Sequence, residues 1–149
     1  MRIRNIALFY LMLGGLLLPC TSQAALGGNL ASIYSEQKEF SSQLSNTQQG
    51  SITIYTQTLP SGMVLQEYLS SNGTIFAVTW SGPALPNLQI LLGTYFKDYL
   101  VAIKESRRSV YLKNENVIIQ SSGMMGAFQG FAFLPKEAPS GFTPNNLSQ

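Results

Sequence analysis

The stretch ITIYTQTLPSGMVLQEYLSSNGTIFAVTW, residues 52–80, decides the fold. Ile52, Ile54, Thr56 and Thr58 alternate with Thr53, Tyr55 and Gln57, and many of these residues are β-branched. That is the two-residue period of a strand. Leu59 to Gly62 reads as a turn, and Met63 to Leu69 as a second strand. Ser70-Ser71-Asn72-Gly73 reads as a hairpin turn, because Asn-Gly tolerates positive φ at both places. Thr74 to Trp80 is apolar on both sides of the pleat, as expected of a central strand covered on both faces or packed at an interface. The three runs predict an antiparallel meander. Pro83 and Pro86 then stop the ladder, since proline has no N–H to donate.

Working outward, Leu30, Ile33, Tyr34, Phe40 and Leu44 recur at helical spacing and predict a helix over residues 31–45. Residues 25–28 read as a flexible start. On the other side, Leu88, Leu91, Leu92, Tyr95, Phe96, Tyr99, Leu100 and Ile103 form one apolar stripe, which predicts a single helix over residues 87–104. Gly93 lies beside that stripe and would allow a close approach to the sheet. Short strands are expected at 110–112, 117–121 and 127–134, with Phe131 and Phe133 on one face of the last and Phe128 on the other. The expected class is therefore α+β. It is an antiparallel sheet of five or six strands with two helices on one face, in the order helix-strand-strand-strand-helix-strand-strand. Residues 25–134 form the one domain. Residues 135–149 form a Pro-rich tail, a surface strap or loose end.

The chain has 9 Lys plus Arg, 7 Asp plus Glu and a formal charge of +2. Arg2 and Arg4 stand at the head of an apolar run, Ile6 to Leu18, that is too short to span a bilayer, which needs roughly 20 residues. Ser22 and Ala24 supply the small residues of a cleavage site. Residues 1–24 thus read as a signal peptide, and the protein as exported, periplasmic or secreted, with no transmembrane segment in the mature chain. Loss of Arg2 and Arg4 leaves seven charges of each sign, which argues against nucleic-acid binding. Cys20, after Leu17-Leu18-Pro19, offers a competing reading as a lipid-anchor site, although proline is a poor residue before the cut.

The chain contains no His, and its single Cys lies in the leader. Ser-His-Asp and Cys-His catalysis, ordinary zinc sites and haem ligation through His are thereby removed. No metal and no cofactor are expected. Glu67, inside a strand, and Asp98, on the long helix, are the weak catalytic candidates, as an acid and base of a glycosidase type. Glu36 and Glu39 read as a solvated helix face. Met124 and Met125, in a Gly-flanked turn, are the binding candidates, because an exposed Met pair suits an adaptable contact. They would touch either the tail, for example Phe142, or an unknown envelope protein or polymer. Lys104, Arg107 and Arg108 form the only basic cluster. Trp80 should pack against the stripe of the second helix.

Ala25-Leu26-Gly27-Gly28, Leu59-Pro60-Ser61-Gly62, Glu67-Tyr68, the run Asn72 to Pro83, Leu91-Leu92-Gly93, Phe128, Gly130 and Leu134-Pro135 resemble a family of short exported bacterial proteins, domain of unknown function 2844. The family pattern often carries His and Arg in the turn before the last strand, where this chain has Met124 and Gly126. It also often has Arg where this chain has Gln66. The resemblance implies export and a single domain and implies no reaction. The expected function is a non-catalytic binding or assembly module of the envelope. A carboxylate-dependent hydrolase of envelope glycans and a lipid-anchored protein are the alternatives.

Overall fold

A computed structural model describes residues 24–106 and 108–147. The expected leader, Cys20, the cleavage motif at Ser22 and Arg107 lie outside the described residues. The chain is α+β and antiparallel throughout. In order it runs α1 (Leu30–Phe40), β1 (Gln43–Gln49), β2 (Ile52–Thr58), β3 (Val64–Leu69), β4 (Ile75–Gly82) and α2 (Leu88–Leu92). It continues with α3 (Phe96–Glu105), β5 (Ser109–Lys113), β6 (Ile118–Met124) and β7 (Ala127–Phe133). The strands make one seven-stranded sheet in the order β1-β2-β3-β4-β7-β6-β5. Two meanders therefore meet where β7 returns to pair with β4.

Seven strands replace the expected five or six, and the strand the sequence reading missed is β1. Residues 43–49 are QLSNTQQ, almost wholly exposed. An edge strand with no buried face lacks the alternation that betrays a strand. The helix predicted to run to residue 45 ends instead at Phe40. Ser41 adopts φ 50° and caps it, its N–H reaching back to Gln37 and Lys38 carbonyls. Asn29 starts the same helix with a capping box that includes Ser32. Gly50 and Ser51 then connect β1 to β2, with Gly50 at φ 58°.

The second helix is also broken. Gly93 sits at φ 52° and ψ −119° and divides α2 from α3 through a short 3₁₀ turn, Gly93–Tyr95. A Cβ there would overlap Ala24, so the close approach is to the start of the chain, not to the sheet. That start is not flexible. Ala25 and Leu26 are buried, the Leu26 N–H donates to Leu91 O, and Gly27 N–H donates to Ile75 O. The Asn72-Gly73 loop spans residues 70–74, with positive φ at Gly73 only. Asn72 Oδ1 accepts from the Thr74 N–H and the Ser70 hydroxyl, so Asn72 closes the loop with its side chain.

Alternation along each strand divides the core in two. The inner face carries Leu65, Val78, Trp80, Ile119 and Ala132, packed on Ile33 of α1, Leu88, Leu91 and Leu92 of α2, and Tyr99 of α3. The outer face carries Ile54, Tyr68, Phe76, Ala77 and Phe133, covered by Ala138, Phe142 and Leu147 of the tail. α1, α2 and α3 therefore lie on one face, and the tail straps the other. Trp80 is 2% exposed and shares its cluster with the α2 and α3 residues, as its place at the end of the central run predicts.

Candidate functional site

Glu67 points inward from β3 and is fully buried. Its Oε2 accepts from Gln57 Nε2 at 2.8 Å, and Gln57 Oε1 accepts from Ser42 Oγ at 2.5 Å. Glu36 reaches the same region from α1 and is 2% exposed. Burial first, then the charge of Glu67, then that of Glu39, push the Glu36 carboxyl up to about 9. Burial pushes Glu67 up to about 7, against the hydrogen bond from Gln57, which pulls it down. Both oxygens of Glu36 and Oε1 of Glu67 have no hydrogen-bond partner among the described residues. At neutral pH Glu36 is thus a neutral acid held in the core.

Glu67 is not paired with Asp98. Asp98 is exposed in the first turn of α3, and the carboxyl whose titration responds to Glu67 is Glu36. The reading of Glu36 and Glu39 as a solvated pair holds for the exposed Glu39 and fails for Glu36. Glu36 follows Ile33 by three residues and precedes Phe40 by four, which places it on the buried stripe. That spacing was the available signal.

Met124 ends β6, and Met125 with Gly126 makes the two-residue turn into β7, where Gly126 has φ 86°. Met124 is 77% exposed and Met125 99%. The tail does not reach them. Phe142 stacks among Tyr68, Phe76 and Phe133, with the Phe76 centroid 5.0 Å away. A shallow space of about 1200 Å³ beside the hairpin is lined by Pro83, Arg108, Met124 and Phe128.

Beside it, on the outer face, lies a groove of about 650 Å³. The tail covers one part of that face and leaves the rest open, with Pro144 and Leu147 as the wall between. Strand register sets its lining. Gln66 pairs with Thr79, Thr79 with Phe131, Phe131 with Gln120, and Gln120 with Tyr111. Ser81, Gln129 and Ser122 form the next row, and these three also line the hairpin space, so the two concavities are continuous. Gln66 Oε1 accepts from Tyr68 Oη at 3.3 Å, which holds its amide at the edge of the ring cluster. Of the aromatic side chains, Trp80, Tyr99 and Phe133 are core, and Phe131 lines this groove. Tyr111, 65% exposed, joins it from edge strand β5.

No cluster of three or more His, Cys, Asp or Glu side chains able to hold a metal exists among the described residues. No helix among the described residues is long and apolar enough to cross a membrane. No curated protein and no solved structure matches the chain. A family profile described as protein of unknown function (DUF2844) matches residues 22–147, which takes in the sheet, the helices and the strapping tail. The chain belongs to that family.

Proposed function

We propose that the protein is an exported, non-catalytic binding or assembly module of a Gram-negative envelope, and that it meets its partner through the Met124–Met125 hairpin. Export rests on the leader pattern of Arg2, Arg4, the Ile6–Leu18 run and the Ser22/Ala24 motif. The observation that carries the binding reading is the exposure of Met125, 99%, and Met124, 77%, at the lip of a concave surface. Two adjacent apolar side chains gain nothing from water, and a covering partner would remove them from it. The hydrolase alternative needs Glu67 to reach a glycan, and full enclosure of Glu67 speaks against it. The lipid-anchored alternative rests on Cys20 and is tested by labelled palmitate with Cys20→Ala.

The test is a photo-reactive residue at position 124 in living cells, compared with one at position 101. Val101 is 62% exposed on the helix side, so it controls for exposure alone. A crosslinked species from 124 only, recovered with the periplasmic or membrane fraction, supports the reading. Equal or absent crosslinking at both positions overturns it, as does retention of the protein in the cytoplasm.

A further inference from the structure

We propose that the open half of the outer sheet face is a binding groove for a neutral oligosaccharide chain, a proposal that rests on the reading of the protein as a binding module. The argument begins with charge. Among the described residues that line the groove only Lys113 is charged, and none is a carboxylate. A polyanion would require several cations, and a basic ligand would require acids. What the face offers instead is neutral and hydrogen-bonding. Each glutamine amide presents two donors and an acceptor, and each hydroxyl presents both. Vicinal sugar hydroxyls are likewise donor and acceptor at once, so Gln120 and Gln129 can each answer a pair of them, while Gln66, whose Oε1 already accepts from Tyr68 and Thr79, offers its amide N–H groups.

The rings fit the same occupant. Tyr111 and Phe131 stand on either side of Gln120 in one cross-strand row. An aromatic face is electron-rich and favours the partly positive C–H groups that line one side of a pyranose ring. From Gln66 on β3 to Tyr111 on β5 the row crosses five adjacent strands, roughly 19 Å at the usual strand spacing. That length takes several sugar rings in line. The row sits on a sheet with its register set, so little ordering is needed on binding. A peptide is the competing occupant, but extended peptides are recognised by adding to a sheet edge. The edges here are β1 and β5, whereas the groove lies on a face.

The test titrates the full exported chain, by calorimetry, with maltohexaose, cellohexaose and chitohexaose, and with a neutral extended hexapeptide for comparison. Saturable binding of at least one sugar is expected. Tyr111→Ala should weaken it about tenfold, the loss of one stacked ring. Gln120→Ala should weaken it further, and Val101→Ser should leave it unchanged. Tyr111 and Gln120 are exposed, so both variants should keep the wild-type melting temperature. No binding of any of the three sugars overturns the proposal. So does sugar binding that survives the double variant, or tighter binding of the peptide than of every sugar. Crosslinking from position 124 separates this from the underlying reading. A crosslinked partner without sugar binding removes the groove and keeps the module, whereas loss of both removes the module itself.

Discussion

Glu36 on α1 and Glu67 on β3 are close enough inside the core for the charge of Glu67 to raise the pKa of Glu36. The groups joined to Glu67 are Gln57 and, through it, Ser42, both uncharged. Such a pair avoids two buried charges by keeping at least one proton.

The consequence is a stability that falls with rising pH. Both folded-state values, about 9 for Glu36 and about 7 for Glu67, lie above the ordinary carboxyl value of 4.5 that holds in the unfolded chain. The native state then binds more protons than the unfolded state, so unfolding free energy drops as pH rises. The stabilisation is complete below about 4.5 and is lost as pH passes through about 7 and then about 9. Urea midpoints should therefore be higher at pH 5 than at pH 8. Glu36→Gln should flatten that slope and raise the urea midpoint at pH 8, because the amide has no proton to lose. A wild-type midpoint that does not move between pH 5 and pH 9 would sink this account.

Trp80 and Gly130 are cross-strand partners, and the indole lies over the bare glycine. Trp80→Ala leaves a large void in the inner core and should cost about 3–5 kcal/mol, enough to unfold a marginal domain. Gly130→Ala should fail for the opposite reason, because its Cβ would overlap the indole and the Gln120 carbonyl. Overpacking of this kind costs about 1–3 kcal/mol. Thermal melts of both variants decide the matter. A Gly130→Ala protein with an unchanged melting temperature would mean that the indole does not rest there.

The meander of β2, β3 and β4 was legible because its strands alternate or run apolar, and because Pro and Gly punctuate them. β1 was not, since one half-buried residue in seven gives no period. The broken helix was hidden for a different reason. The stripe from Leu88 to Ile103 keeps its spacing across Gly93, and only the φ of 52° reveals the break. The acid pair and the groove are assembled from residues distant in the chain: the packing of α1 on the sheet brings Glu36 to Glu67, and strand register places Gln66 and Tyr111 in one row. The hairpin was legible because Gly123 and Gly126 flank the Met pair, although only Met125 and Gly126 make the turn and Met124 ends β6.

The tail makes the second core complete. Phe142 lies among Tyr68, Phe76 and Phe133, and Leu147 is buried with them. Removal of residues 136–149 would expose Phe76, which is otherwise fully enclosed. The truncated chain should melt well below the intact one, and Phe142→Ala alone should account for about 2–4 kcal/mol. Equal melting temperatures for the intact and truncated chains would show the strap to be dispensable to the fold.

The Met hairpin should behave in the opposite way. Met124 and Met125 contribute little to either core, since 77% and 99% of their surfaces are already in water. Serine at both positions removes no packing, and surface changes of this kind usually lie within about 0.5 kcal/mol. Melting temperature and urea midpoint should therefore stay at the wild-type values. If the hairpin is a contact, the same double variant should lose the species crosslinked from a neighbouring exposed position such as Ala127, at the start of β7. The comparison must be made at equal protein levels in the envelope fraction, so that loss of a partner is not confused with loss of the protein. A double variant that folds, is exported and still gives the full crosslink would exclude the Met pair from the contact. A double variant that melts lower would instead assign these side chains to the hairpin's own stability.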